Sequence, residues 1–226
     1  MYMVIEIKLF FFPAACCANC YDTELYSRST LKRSLRISNP GCYATSTQLL
    51  LAPLLPYLDP LSSPTVFGLS GYSGAGTKAG QLDSEGRPTT LPKVSAEALG
   101  GGVKSYSLTD HIHEREAGYH LSHLPGAPDG FKVAFIPNIA PWFSGIISVV
   151  SAPLKDRMTA NAVKELYENT YKGEGLIRVG TDVVQLKDVE GKHGWKVGGI
   201  QVHSSGKRVV VTVCVFVEFQ VTSINV

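Results

Sequence analysis

One cysteine stands apart from the others in the sequence, where a tight turn leads into a helical pattern. Pro40 and Gly41 form the turn in "SNPGCYATSTQLLLAPL", and Cys42 follows directly. A sulfur at the start of a helix lies beside free backbone N–H groups and the positive end of the helix dipole. Both lower the pKa of a thiol, and the same N–H groups could hold an oxyanion. The alternative is a small buried side chain, the usual environment of a free cysteine. Position alone leaves both interpretations open.

Four histidines lie close together farther along the chain, in and just after "SLTDHIHEREAGYH". His111 and His113 are two residues apart, and His120 and His123 follow. In an extended segment residues i and i+2 point to the same side, so the first pair is predicted to share a site. A thiolate nucleophile needs a nearby acid or base, and imidazole titrates near neutral pH. A metal site that includes one of the later histidines is one alternative, and a solvated polar loop is another.

A glycine-rich loop, "SGYSGAG", occupies residues 70–76. Its glycines allow the backbone to approach a ligand closely, and its serine hydroxyls add donors, so it could bind phosphate. The loop does not match the dinucleotide fingerprint, and neither that fingerprint nor a Walker loop occurs elsewhere in the sequence. The loop alone therefore indicates a ligand only weakly.

The composition is that of an ordinary globular protein, with 44% hydrophobic residues, 18% charged residues and a net charge of +2. This charge does not favour nucleic acid or an anionic membrane, so we expect small molecules and proteins as partners. No apolar stretch reaches the roughly 20 residues that span a bilayer. The five cysteines are unevenly spaced, which favours a reducing compartment over a disulfide framework. The lone pair Cys17 and Cys20 predicts no metal site, because a second pair is lacking.

The elements that must position these residues follow an α+β pattern. A helix is predicted over residues 42–52, ended by the prolines at 53 and 56. A second helix is predicted over residues 159–171, with Thr159 as its N-cap. Strands are predicted at 64–70, 131–137 and 144–154, and residues 195–215 read as a hairpin around a Ser-Ser-Gly turn. A polar stretch that contains glycine and proline follows the glycine loop to about residue 105.

Taken together, four stretches resemble one enzyme family. "SNPGCYATSTQLLLAPLL", "SGYSGAGTKA", "YSLTDHIHERE" and "FIPNIAPWFSGI" occur in the order and approximate spacing found in N-acetyl-gamma-glutamyl-phosphate reductase. The amino-acid sequence closely resembles that of the fungal enzyme of arginine biosynthesis, over roughly residues 25 to 213. The resemblance implies a domain like the C-terminal domain of glyceraldehyde-3-phosphate dehydrogenase. Such a domain has a mixed or antiparallel sheet with helices on one face.

The resemblance also implies a reaction. In this family a cysteine attacks an acyl phosphate, releases inorganic phosphate and forms a thioester, which NADPH reduces to the semialdehyde. Cys42 takes the position of the nucleophile. His111 and His113 take the positions of an acid/base and a substrate contact, with His113 preferred as the acid/base.

The remaining site residues follow from the same resemblance. Ser73, Gly74 and Ala75 are expected against the nicotinamide end of NADP(H), and Asn39 and Arg115 against the substrate. No metal is expected. Many bacterial members have a basic residue between the two histidines and Pro-Glu after them. Here Ile112 and "EREAG" stand in those places.

We expect three parts along the chain. Residues 1–37 are interpreted as an atypical N-terminal segment, residues 38–213 as a substrate-binding and dimerisation domain of the semialdehyde dehydrogenase type, and residues 214–226 as a divergent tail. The family's Rossmann domain, which binds NADP, is expected to be absent, because no glycine-rich fingerprint precedes Cys42. A truncated or wrongly spliced gene product and a genuine short form are the two explanations.

The functional hypotheses are therefore a reductase fragment and a non-catalytic dimerisation module derived from that enzyme. A stand-alone cysteine hydrolase is a third possibility on chemical grounds alone. The resemblance implies a homo-oligomer formed through the sheet of this domain. It also implies a mitochondrial location, with the cytoplasm as the alternative.

Overall fold

The computed structural model describes residues 40–82 and 84–216. The predictions made for the N-terminal segment, for Asn39 and for residues 217–226 lie outside the described residues. Within the described part, no helix is long and apolar enough to cross a membrane.

A mixed seven-stranded sheet and a separate two-stranded hairpin form the β-structure. The strands are β1 (Thr65–Gly71), β2 (Thr77–Leu82), β3 (Pro88–Pro92), β4 (Lys104–Ser105), β5 (Ala134–Ala140), β6 (Ile146–Pro153), β7 (Ile177–Val179), β8 (Trp195–Val202) and β9 (Arg208–Val215). The large sheet has the order β4-β5-β1-β6-β9-β8-β7, and β2 pairs with β3. Within the large sheet, β1 and β5 are parallel, as are β7 and β8, and the other neighbours are antiparallel.

Helices pack on one face of the large sheet. The α-helices are α1 (Cys42–Leu51), α2 (Ala96–Leu99), α3 (Ile112–Ser122) and α4 (Ala160–Thr170), and 3-10 helices cover Ala52–Tyr57, Tyr72–Ala75 and Leu186–Asp188. Side chains of α1, α3 and α4 share one hydrophobic core with the sheet. Buried and half-buried positions alternate along β6, because successive side chains of a strand point to opposite faces. The α+β class and the mixed sheet predicted from the sequence are confirmed.

Helix α1 is the most deeply buried of these helices. Leu49, Leu50 and Leu51 are at most 1% exposed, and the polar Ser46 and Gln48 are equally buried. The Ser46 hydroxyl bonds that of Ser148 on β6 at 3.0 Å, and the Gln48 amide donates to a carbonyl of its own helix. These bonds remove the cost of burying the polar groups, so α1 can be surrounded by core on nearly every side.

The C-terminal end of α1 depends on helix α4. Pro53 has no N–H, so the carbonyl of Leu49 lacks its normal partner in the helix. The hydroxyl of Tyr171 donates to this carbonyl at 2.7 Å, and the hydroxyl of Tyr167 donates to the next carbonyl, that of Leu50. One tyrosine from α4 and one at its C-cap therefore anchor the end of α1.

Most of the strongly patterned elements agree with the sequence-based predictions. The first helix, the strand before the glycine loop and the long hairpin lie where they were expected, and Thr159 caps α4 through its side chain. No helix or strand was predicted between the glycine loop and residue 105, but β2, β3 and α2 lie there. Their sequences are polar and rich in glycine and proline, so they show neither the helical nor the strand periodicity of hydrophobic residues.

We expect Tyr171→Phe to lower the free energy of unfolding by about 1–3 kcal/mol, because it leaves a buried carbonyl of α1 without its donor. Urea unfolding followed by circular dichroism measures the loss. Tyr119→Phe is the matched control, since this ring is 49% exposed on α3. Equal losses in the two variants would contradict the anchoring role.

Candidate active site

Cys42 lies at the first position of α1, directly after the turn. Gly41 is the N-cap residue with extended backbone, and its carbonyl accepts the first helical bond, from the N–H of Thr45 at 2.9 Å. The Cys42 side chain is half-buried at this end of the helix. The structure therefore places the thiol at the helix N-terminus, as predicted.

The helix N-terminus is expected to lower the pKa of the Cys42 thiol, but burial outweighs this effect. Burial raises the pKa of Cys42, and the nearby carboxylate of Glu116 adds to the rise. Hydrogen bonds from the backbone N–H groups of Cys42 and Tyr43 act in the opposite direction. The expectation that the helix end lowers the pKa is wrong for the net shift, because desolvation disfavours the charged thiolate more than two amides stabilise it.

His111 and His113 lie at the start of α3, with ring centroids 4.9 Å apart. His111 is the N-cap, and its Nδ1 accepts a hydrogen bond from the backbone N–H of His113 at 3.2 Å. The prediction that the two rings are neighbours is confirmed, but the predicted extended segment is wrong. Only the N-cap residue has extended backbone, and the chain then turns into the helix.

His113 packs directly against Gly41. A Cβ atom at Gly41 would lie 2.1 Å from the imidazole Nε2, so no larger residue fits there without displacing the ring. Gly41 has φ −62°, which any residue can adopt, so the glycine is required by this contact and not by its backbone conformation. The contact joins the start of α3 to the residue before Cys42.

The His113 imidazole is uncharged at neutral pH. Burial, and secondarily the neighbouring His111, lower the pKa of His113 to about 4. Its Nδ1 is buried and has no hydrogen-bond partner within the described part of the chain. An uncharged imidazole can accept a proton, which is what a buried thiol needs in order to react.

Two glutamates on α3 accept backbone amides, a role that the sequence analysis missed. Glu116 accepts from the N–H of Gly41 at 3.0 Å, and Glu114 accepts from the N–H of Phe135 on β5 at 2.8 Å. Burial raises the pKa of Glu116. Helical spacing could have revealed Glu116, because it lies three residues after His113 and one before the buried Ala117.

Two tyrosines near the thiol were also missed. The Tyr43 hydroxyl donates to the carbonyl of Asn138 at 2.9 Å, and burial raises its pKa. Tyr106 lies 5.6 Å from His111, ring centroid to ring centroid. Burial, with a smaller contribution from Cys42, raises the pKa of Tyr106 to about 12. Both phenols therefore stay uncharged next to the sulfur.

The glycine-rich loop follows β1 and is fixed to the segment before β6. Backbone N–H groups of Gly71, Tyr72 and Ser73 donate to carbonyls of residues 145, 142 and 143 at 2.9–3.0 Å. A Cβ at Gly74 would lie 2.3 Å from the Ser70 hydroxyl, so that glycine is required by the loop itself. The same Ser70 hydroxyl interacts with Tyr43, the residue after Cys42. This places the loop next to the start of α1.

The other predicted residues do not join this cluster in the described residues. Arg115 is exposed on α3. His120 is buried and His123 exposed at the far end of that helix. Among residues 40–82 and 84–216, no group of three or more His, Cys, Asp or Glu side chains could hold a metal ion.

The chain belongs to a known family of oxidoreductase domains. Residues 42–215 match the family described as "Semialdehyde dehydrogenase, dimerisation domain". The match begins at Cys42 and ends with the last residue of β9. The residues that match the family are therefore the same as those from the first helix to the last strand of the fold.

The chain is also similar in sequence to curated proteins whose names are more specific than that of the family. The chain is 46% identical over 192 residues to "Protein arg11, mitochondrial" of Schizosaccharomyces pombe, covering 85% of this chain and 19% of that protein. It is 43% identical over 188 residues to "Protein arg-6, mitochondrial" of Neurospora crassa, again covering 19% of the relative. It is 38% identical over 191 residues to the N-acetyl-gamma-glutamyl-phosphate reductase of Xanthomonas axonopodis, covering 54% of that enzyme. The chain therefore spans about half of the bacterial relative and a fifth of the fungal ones.

Solved structures show the same fold at low sequence identity. Aspartate semialdehyde dehydrogenase of Francisella tularensis matches 86% of this chain with a TM-score of 0.61 and 11% identity, covering 65% of that protein. Aspartate semialdehyde dehydrogenase II of Vibrio cholerae matches 85% of this chain with a TM-score of 0.59 and 16% identity, covering 60% of its chain. The expected fold of the dehydrogenase type is confirmed.

We expect Gly41→Ala to lower the free energy of unfolding by about 1–3 kcal/mol, because the added methyl group overlaps the His113 ring. Combined with His113→Ala, the same change should cost at least about 1 kcal/mol less, since the obstructing ring is gone. Chemical unfolding of the four proteins measures this coupling.

The control for this cycle is Gly175→Ala. Nothing lies within 4 Å of a Cβ built at Gly175, so this change should leave stability within about 0.5 kcal/mol. A cost for Gly41→Ala that is the same with and without the ring would show that the contact does not position His113.

Proposed function

We propose that this chain supplies the acyl-transfer centre of an N-acetyl-gamma-glutamyl-phosphate reductase of arginine biosynthesis. The observation that carries the proposal is the contact of His113 with Gly41, which puts an uncharged imidazole at the start of the helix that begins with Cys42. The name and 38% identity of the Xanthomonas relative support the substrate class.

In the proposed first step His113 takes the proton from the Cys42 thiol, and the sulfur attacks the acyl carbon of N-acetylglutamyl 5-phosphate. A carbon–sulfur bond forms, the carbon–oxygen bond to phosphate breaks, and inorganic phosphate leaves with the electron pair. The product is a thioester on Cys42. The amides of Cys42 and Tyr43, which bond the sulfur, stabilise the thiolate as it forms.

The second step is proposed to use NADPH, which supplies a hydride when it is bound. Ser73, Gly74 and Ala75 would lie at its nicotinamide end. The fixed backbone of their loop and its contact with Tyr43 support this placement. The relatives are longer than this chain, so we propose that a Rossmann domain of the same polypeptide or of a partner supplies the remaining contacts.

Substrate contacts are proposed for Asn39, which precedes the turn, and for the exposed Arg115 on α3. His111 would contact the substrate or orient His113, whose backbone N–H it accepts. The fungal relatives labelled mitochondrial support a mitochondrial location for this chain as well.

The face of the sheet opposite α1, α3 and α4 is proposed to bind a second copy of the chain. Phe67 on β1 is 42% exposed there, and it pairs with Ile136 on β5 and Val149 on β6. Both partners are half-buried, so the centre of the face is an apolar patch. The family description as a dimerisation domain supports this use, which would also serve a non-catalytic dimerisation module.

The acylation step can be tested without the nucleotide. We expect the purified chain, mixed with N-acetylglutamyl phosphate, to release about one equivalent of phosphate and to carry an acyl group on Cys42. Cys42→Ser should abolish both signals, and His113→Gln should slow the release about 100-fold or more, because the base is lost. Rapid phosphate assays and mass spectrometry of the Cys42 peptide give the two readouts.

The control is Cys214→Ser, which replaces a fully buried cysteine on β9. Its burst of phosphate should match that of the unchanged chain. An acyl group that persists in Cys42→Ser, or none at all in the folded chain, would contradict the proposed acyl-transfer centre.

We expect Phe67→Glu to convert the dimer to a monomer, because a carboxylate in the centre of an apolar interface is costly to desolvate. Sedimentation velocity measures the change in mass. Leu61→Glu is the matched control: this leucine is 92% exposed outside the strands and should leave the dimer intact. Identical sedimentation of the two variants would exclude this face as the interface.

A further inference from the structure

Glu116 is a half-buried carboxylate that the proposed reaction does not use. It lies on the inward side of α3, three residues after His113 and next to the fully buried Ala117. Its Oε1 accepts the backbone N–H of Gly41 at 3.0 Å, across 75 positions of sequence. A carboxylate in such a place loses hydration, and a single backbone amide restores only part of it.

Glu116 and His113 hold the same residue in two different ways. The imidazole lies against the Cα of Gly41, while the carboxylate holds its N–H. Gly41 is the N-cap residue directly before Cys42. Helix α3 therefore contacts the turn before Cys42 through two side chains. The other carboxylate on this part of α3, that of Glu114 two residues earlier, holds the amide of Phe135 on β5 instead.

The bond also brings a negative charge to the end of α1 where the thiolate must form. This carboxylate contributes to the raised pKa of Cys42. The other titratable groups that face this end of α1 are Tyr43, Tyr106, His111 and His113. All four are uncharged at neutral pH, because burial raises the pKa values of the two tyrosines and lowers those of the two histidines. The charge of Glu116 opposes the thiolate in addition to burial, which is the larger cause of the raised pKa of Cys42.

We propose that Glu116 is a positioning residue that fixes the Gly41–Cys42 turn against α3, and that its carboxylate there disfavours the Cys42 thiolate in the resting protein. This inference rests on the proposed function only in taking Cys42 as the nucleophile. A resting thiol is far less reactive toward oxidants and alkylating agents than a thiolate.

The charge effect is tested with Glu116→Gln, whose amide oxygen can still accept the N–H of Gly41. The rate of Cys42 alkylation by iodoacetamide is measured from about pH 6 to about pH 10, by mass spectrometry of the Cys42 peptide. We expect the variant to react at least about threefold faster at neutral pH, with its profile displaced to lower pH. A profile that matches the unchanged chain would overturn the charge effect.

The positioning effect is tested with Glu116→Ala, which removes the acceptor. We expect hydrogen exchange of the Gly41 amide to accelerate about tenfold or more in this variant, and to stay slow in Glu116→Gln. Glu114→Gln is the control, since its carboxylate holds another amide, and it should change neither the exchange at Gly41 nor the Cys42 profile. Slow exchange in Glu116→Ala would overturn the positioning role.

These readouts are separate from the acylation test. If Cys42 never accepts an acyl group but the Glu116 variants behave as expected, the proposed function fails while the inference about Glu116 stands. If acylation occurs but both Glu116 readouts stay unchanged, the inference fails alone.

Discussion

The arrangement around Cys42 depends on the close approach of the His113 imidazole to the bare Cα of Gly41. The missing side chain lets the start of α3 meet the start of α1 without a gap. That approach excludes water from the imidazole, which lowers its pKa, and it sets the carboxylate of Glu116 on the Gly41 amide. A methyl group at this one position would push apart the two helices that carry Cys42 and His113.

Burial decides the charge state of the resting site. A thiol whose pKa is raised by burial and an imidazole with a pKa of about 4 form a neutral pair at neutral pH, not a thiolate–imidazolium pair. The helix end still matters, because its amides favour the thiolate. In the proposed reaction the cost of separating the charges is therefore met during the attack on the substrate.

The elements with a strong hydrophobic periodicity could be predicted from the sequence. An element whose inward-facing residues are polar could not. Helices α1 and α4 and the hairpin of β8 and β9 follow from leucine, valine and capping patterns. Helix α3 was missed because its inward side carries histidines and a glutamate, which read as a solvated loop. The neighbourhood of His111 and His113 was predicted, but it arises from a helix cap. No local pattern could reveal that Glu116 meets Gly41, because this contact exists only after α1 and α3 pack.

Helix α1 is held at both ends by elements of its own domain. At its start the Glu116 carboxylate of α3 accepts the N–H of Gly41, and at its end Tyr167 of α4 and Tyr171, the C-cap of α4, donate to the carbonyls of Leu50 and Leu49. Three helices packed on one sheet therefore fix the relative positions of the Cys42 sulfur and the His113 imidazole. A nucleotide-binding domain, whether on the same or on another polypeptide, is not needed to set the spacing between them.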